Sequence, residues 1–324
     1  MKKLTALILS LVICLTAFAF AGCKSKNEPI KVLMLDDLNA ASAVLLMKEA
    51  QDGNTKNQYT FKTESSVTRL IASIGTSKAD IAIAPAYAAA SVYNKTKGDV
   101  RLLGIVSAGE LSLLENGNTI NSLSDLKGKE VYVSGKSSDT EFILKKVLSA
   151  NGVKSDEVTV TKVEDDKELT EAIVNGTAKI TVANQPVKAT VLSKVSSARS
   201  VRGLNSEWNS ATNSAGTIQV CVFATTNFVE DNGSELKKFI KEYKEAVYMA
   251  STDKTKAAKL CAEFDIMESE EIAKAALKNV DFKFVDGADM KTAFKKNINA
   301  LHKVGMKAIG QKAPGSVFYY GVKD

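Results

Sequence analysis

Short apolar runs alternating with helical ones, twice over, limit the folds open to this chain. Ile30 to Leu35 reads as a buried strand and Leu38 to Ala50, rich in Ala, Leu and Met, as a helix. Tyr59 to Glu64 alternates like a strand. Val67 to Gly75 carries Val67, Leu70, Ile71 and Ile74 on one helical face. Asp80 to Pro85 is a second buried strand, Ala86 to Asn94 a helix and Val100 to Val106 a strand again. The order then restarts. Leu123 to Lys129 is turn-rich, Glu130 to Ser134 a strand, and Thr140 to Asn151 a helix closed by Gly152. Val158 to Val163, Lys179 to Ala183 and Ile218 to Thr225 read as strands, with helices at Lys167 to Asn175 and Val187 to Ser193. Strands alternating with helices predict an α/β fold with parallel-type sheets, and the second unit (114–226) echoes the first (30–111).

From residue 227 onward the pattern is helical: Leu236 to Ala250, Thr255 to Phe264, Ser269 to Ala276 and Ala288 to Val304. The first of these places Phe239, Ile240, Tyr243, Val247 and Tyr248 on one face. A length of 324 residues suits about two domains. The expected division is a first lobe of residues 30–112 and 227–324 and a second of 113–226. The chain would then cross between lobes near 111–114 and near 224–228, and two crossovers form a hinge able to close on a ligand.

Residues 1–22 have the form of a secretory signal. Lys2 and Lys3 open it, and Leu4 to Ala21 is apolar apart from Thr5, Ser10 and Thr16. Phe20-Ala21-Gly22-Cys23 resembles a bacterial lipobox, with Phe20 where Leu is usual. That resemblance implies that Cys23 is lipidated and begins the mature chain, with residues 23–29 as a polar tether holding the body on the extracytoplasmic face of the cell membrane. An uncleaved anchor and a plain secretory signal are the alternatives, since about 18 apolar residues can just span a bilayer. Net charge is +6, or +4 without Lys2 and Lys3. The surplus is scattered, so nothing points to nucleic acid. Outside the leader and Cys23 the cysteines are Cys221 and Cys261, readable as a pair or as two buried thiols.

Several stretches resemble the type II periplasmic-binding-protein superfamily, and within it the nitrate, sulfonate and thiamine-precursor binding class of ABC importer subunits. They are Lys78-Ala79-Asp80-Ile81-Ala82-Ile83-Ala84-Pro85, Ile120 to Lys129, Val131 to Lys136, and Asn175-Gly176-Thr177-Ala178-Lys179-Ile180 followed by Gln185-Pro186. Glu207-Trp208 and Phe318-Tyr319-Tyr320 resemble a clostridial-type subgroup of that class. The likeness spans nearly all of the mature chain. It implies a two-lobed fold with two hinge crossovers and a monomeric subunit that delivers a small molecule to a separate permease and ATPase. The chain departs from the class at its loops. Asp36-Asp37-Leu38-Asn39 stands where Gly-Pro-Thr is usual, Lys179 where Asp is usual, and Asn184-Gln185-Pro186 where Pro-Glu-Pro is common. The ligand is therefore not carried over.

Independently of any family, ligands in open α/β sheets bind beyond the carboxyl ends of the strands. That rule nominates Asp36, Asp37, Leu38 and Asn39 after the first strand, and Pro85, Ala86 and Tyr87 after a later one. It also nominates Ser134, Gly135, Lys136, Ser137, Ser138, Asp139 and Thr140, and then Asn184 and Gln185. The 134–140 loop is the sharpest, because capping residue types there open a helix. It either caps that helix or offers exposed N–H groups to a ligand. Asp36 and Asp37 either meet a ligand amine or cap the first helix. Tyr87 either stacks on ligand or lies in the core. Trp208 either walls the cleft or plugs a lobe. No arginine falls in these loops, so no bidentate anion clamp is visible.

An enzyme is not expected. His302 is the single histidine, no metal-ligand spacing occurs, and there is neither a nucleophile elbow nor a Walker loop. No cofactor is expected either. The competing functions are a ligand-sensing lipoprotein serving a membrane receptor, or a structural or adhesive surface lipoprotein without a ligand.

Overall fold

The computed structural model describes residues 28–76, 78–108, 111–136, 139–213, 216–310 and 313–322. Residues 1–22, read above as a secretory signal, and Cys23, Ser137 and Ser138 lie outside them. Ten strands build two five-stranded sheets. The first is ordered β2-β1-β3-β10-β4, from β1 (Ile30–Leu35), β2 (Tyr59–Glu64), β3 (Ile81–Ala84), β4 (Val100–Ala108) and β10 (Ile218–Thr225). The second is ordered β7-β6-β8-β5-β9, from β5 (Ser112–Asn116), β6 (Glu130–Ser134), β7 (Thr159–Val163), β8 (Ile180–Ala183) and β9 (Ala198–Gly203).

Within each sheet, three neighbouring strands pair in parallel, all of them at segments read as strands above. β1 is flanked in register by β2 and β3, and β6 by β7 and β8. The inner ones are covered on both faces, so Ile81–Ala84 and Ile180–Ala183 are buried at every position, while β2 and β7 at the edges are not. The fourth strand of each sheet departs from the parallel-type expectation. β10 pairs antiparallel with both β3 and β4, and β5 pairs antiparallel with β8 and β9.

β10 also moves a boundary. Ile218–Thr225, read above as the last strand of the second unit, lies inside the first sheet. The chain therefore returns to the first lobe between helix Leu204–Thr212 and β10, not near 224–228. Burial fits the placement: every residue of β10 except Thr225 is buried, which suits an interior strand between β3 and β4.

Three helical readings shift as well. The helix expected over 38–50 is two, Leu38–Ala41 and Val44–Gln51. The break falls at Ser42, whose Oγ donates to the Asn39 carbonyl at 2.7 Å and lies 2.6 Å from the Tyr243 hydroxyl. Helix Leu204–Thr212 adds an element to the second lobe. In helix Gly233–Thr252 the buried face is Leu236, Phe239, Tyr243, Ala246, Val247 and Ala250, while Tyr248 is 66% exposed. One step of about 100° past Val247 carries Tyr248 off the apolar stripe.

The carboxyl-terminal helices pack against the first sheet's own helices. Leu236, Phe239, Tyr243 and Val247 share one core with Val44, Leu45 and Leu46, joined by Ala257, Cys261, Ile272 and Ala276. They also reach the second lobe, because Ala189 of helix Val187–Lys194 belongs to this core and Lys194 pairs with Glu268 at 2.7 Å. Cys221 and Cys261 are free, buried thiols, and Cys221 Sγ donates to the Ala84 carbonyl at 3.0 Å. Among the described residues no helix is long and apolar enough to cross a membrane.

Candidate functional site

The carboxyl ends of the parallel strands in the two lobes meet at one side chain. Ser134 ends β6, and Gly135 turns the chain tightly. Its N–H donates to the Val163 carbonyl at 2.8 Å, and a Cβ there would lie 2.8 Å and 2.9 Å from the carbonyl oxygens of Val163 and Glu164. Only glycine fits so close to backbone. Ser134 Oγ accepts from the Lys136 N–H at 3.1 Å, which fixes where Lys136 leaves the loop.

Lys136 then reaches across to the first lobe. Its Nζ lies 2.5 Å from Asp36 Oδ1, 3.4 Å from the Asp36 carbonyl and 3.8 Å from Asp37 Oδ2. From its own lobe, Asp166 Oδ2 approaches to 3.4 Å. The Lys136 side chain is only 5% exposed. Burial alone would lower its amine. The carboxylates of Asp37, Asp166 and Asp36 more than offset that, and the ammonium is held well above its ordinary range.

Asp37 does two jobs. Its Oδ1 accepts from the Asn39 N–H at 2.8 Å, capping helix Leu38–Ala41, and from Asn39 Nδ2 at 2.7 Å. Its other oxygen faces Lys136. Asn39 is fully buried, and its Oδ1 has no hydrogen-bond donor. Asn184, just beyond β8, likewise has an Oδ1 without a donor. Buried acceptors of this kind are uncommon in folded proteins.

Asp139 stands at the N-cap position of helix Thr140–Ala150, yet its side chain makes no capping bond to the helix. It is buried, and burial lifts its carboxyl to about 7, opposed only by the N–H groups of Asp139 and Thr140. Gln185 is buried, with its Oε1 accepting from the Ala189 N–H at 3.1 Å at the start of the next helix.

The nominated residues thus divide. Lys136 physically joins the 134–136 loop to Asp36 and Asp37. Asn39, Asp139 and Asn184 lie at the same strand ends, while Leu38, Pro85, Ala86 and Tyr87 frame them from the first lobe, with Leu38, Ala86 and Tyr87 fully packed. Tyr87 belongs to the core, 2% exposed. Trp208 is buried in the core with Leu144, Val147 and Leu148 of the neighbouring helix, and its indole Nε1 has no acceptor. Asp166 was not nominated. The strand-end rule applied to Val158–Val163 would have found it, since it opens the helix directly after β7.

A separate cavity of about 410 Å³ lies between helices Val44–Gln51 and Gly233–Thr252, on the flank of the first lobe. Its lining mixes Glu49, Glu242 and Glu245 with Lys56, Lys241 and Lys256, and no strand end opens into it.

A family model described as NMT1/THI5 like matches residues 60–257, more than half of the chain. The chain belongs to the NMT1/THI5-like family. Several solved structures share its two-lobed architecture. An ABC transporter protein from Parabacteroides distasonis superposes with a TM-score of 0.73 at 19% identity, covering 90% of this chain and 98% of that one. The alkanesulfonate-binding protein SsuA of Xanthomonas axonopodis pv. citri, bound to MOPS, gives 0.69 at 14% identity over 92% and 99%. A ligand-binding component of an ABC-type import system from Staphylococcus aureus, with zinc bound, gives 0.70 at 10% identity over 90% and 98%. A sequence search of curated proteins finds no match. At these identities the structural likeness establishes the type II periplasmic-binding-protein fold for this NMT1/THI5-like chain, as the sequence motifs implied.

Proposed function

We propose that this chain is the extracytoplasmic solute-binding subunit of a bacterial ABC importer. It captures a small molecule between its lobes and delivers it to a separate permease and ATPase. The observation that carries this reading is the convergence of strand carboxyl ends from both lobes on Lys136, Asp36 and Asp37, in a fold shared with importer binding proteins. The chain passes between the lobes twice, from β4 to β5 and from helix Leu204–Thr212 to β10, which suits a hinged pair of lobes. On this reading the first lobe comprises residues up to 108 and from 218 onward, and the second comprises 112–212.

Capture without chemistry fits the side chains. Cys221 and Cys261 are buried and pushed up by burial, and so are poor nucleophiles. Among the described residues no cluster of His, Cys, Asp and Glu could hold a metal. Lipidation at Cys23 would hold a monomer at the outer face of the membrane, within reach of its permease.

The test is thermal unfolding of the full-length chain, as a bacterial host processes it, against sulfonates, nitrate, pyrimidines, amino acids and amines. A ligand at a hundred times its Kd adds about 2.7 kcal/mol. For a chain of this size that raises the melting temperature by on the order of 5 °C. A shift confined to one chemical class supports the role. A flat response across the panel, with no capture of a permease, overturns it.

A further inference from the structure

We infer that the cleft selects a small organic cation bearing one or two ammonium groups, and that the Lys136 ammonium occupies the position such a ligand takes. This rests on the solute-binding reading above and names its substrate class. The first observation is the cradle itself. Four oxygens surround Lys136 Nζ: Asp36 Oδ1 at 2.5 Å, the Asp36 carbonyl and Asp166 Oδ2 at 3.4 Å, and Asp37 Oδ2 at 3.8 Å. They come from both lobes and enclose an ammonium almost completely. A lysine ammonium is a compact charge on a flexible four-carbon stem. It can leave while its oxygen partners stay.

The second observation is charge. Asp36, Asp37 and Asp166 all face the one ammonium of Lys136, so carboxylates outnumber cations in this cluster. An anion entering here would meet that surplus of carboxylates. The helix N-terminus that would otherwise attract an anion already carries Asp139. Like-charge contact of this kind discriminates strongly against the wrong ligand.

The third observation is independent of charge. Asn39 is fully buried, and its amide leans on the same Asp37 through Nδ2 at 2.7 Å, leaving Oδ1 with no donor. Flipping the amide would forfeit the bond to Asp37, so the acceptor stays in place. Asn184 Oδ1 waits in the same condition beyond β8. Two lone acceptors call for a ligand rich in N–H groups. A nitrate or sulfonate brings acceptors only and leaves both unsatisfied.

Calorimetric titration of the full-length chain with putrescine, ethanolamine, butanesulfonate and nitrate tests the inference, on the wild type, Lys136→Met and Asp36→Asn. Putrescine or ethanolamine should bind the wild type. Lys136→Met, freed of its internal competitor, should bind the same amine at least tenfold more tightly. Asp36→Asn, at a side chain 40% exposed, should bind it at least tenfold more weakly. Circular dichroism checks that Lys136→Met is folded; if it is not, the Asp36→Asn comparison decides. Binding of butanesulfonate or nitrate that Lys136→Met abolishes overturns the inference while sparing the solute-binding role. Silence toward both amines overturns it too, and silence toward a broad solute panel removes the role as well.

Discussion

The Phe284 ring lies flat on the backbone of Gly104, so close that a Cβ at 104 would fall well inside van der Waals contact with three ring carbons. The contact ties the carboxyl-terminal segment to β4, where Ile105 and Val285 also exchange backbone hydrogen bonds, at 2.9 Å and 2.8 Å. Lys244 Nζ sits 4.9 Å over the same ring. Gly104→Ala must push the ring or the strand aside. We expect a loss of about 1–3 kcal/mol in urea unfolding, the usual cost of overpacking a core. Gly104→Ala combined with Phe284→Leu should recover part of that loss.

Glu115 is the buried carboxylate of β5. Arg199 Nη2 pairs with it at 2.7 Å, the Thr119 hydroxyl donates to it at 2.6 Å and the Thr119 N–H at 2.7 Å. Burial works against the charge, but those donors win and hold its carboxyl below the usual range. Such a group stabilises the fold above its unfolded pKa, and that contribution is lost as pH falls through the folded value. Arg199→Met should cost about 2–3 kcal/mol in urea unfolding at pH 7. Glu115→Gln should flatten the loss of stability on the acid side.

Asp139 has the opposite sign. Its folded carboxyl titrates near 7, above the unfolded value, so the protonated form is the one that favours folding. That contribution is complete near and below pH 4 and fades as pH rises through 7. Asp139→Asn should therefore melt several degrees above the wild type at pH 8, on the order of 3–4 kcal/mol at most, and coincide with it near pH 4. If the cleft takes an ammonium ligand, the same variant should bind that ligand less tightly, so stability would rise as function falls.

Trp208 is the chain's one tryptophan, and it is fully buried. Its emission should be that of an indole shielded from water. Trp208→Phe removes the Nε1–H that lacks an acceptor and should cost less than about 1–2 kcal/mol. Trp208→Ala leaves a cavity and should cost about 3–5 kcal/mol. Equal losses for the two variants would mean that the indole nitrogen has a partner in solution.

The buried parallel strands were legible because an unbroken apolar run such as Ile30–Leu35 has few other uses. β9 was not. Ala198–Gly203 carries two arginines and a serine, shows no apolar period, and is a strand only because β5 lies beside it. β10 could be read as a strand but not assigned a partner, since proximity in sequence favours its predecessors and the chain instead recrosses first. In the site, Asp36, Asp37, Lys136 and Asp139 followed from the strand-end rule. Their convergence did not, because Lys136 and Asp36 are 100 residues apart and no spacing encodes a contact between lobes. Asp37 caps the first helix with one oxygen and faces Lys136 with the other, so capping does not use up the side chain.

β4 and β10 are hydrogen-bonded neighbours, yet the whole second lobe is threaded between them. A ribosome therefore delivers β1 to β4 without the strand that joins β3 to β4. The first lobe must wait half-made through the synthesis of about a hundred residues, its apolar strand faces in need of shelter. The second lobe is one unbroken stretch of chain and can fold as soon as it emerges. Once folded, it turns a long, slack loop into a short rigid bridge whose two ends present β4 and β10 to each other. Destabilising the inserted lobe should thus slow assembly of the sheet it does not belong to.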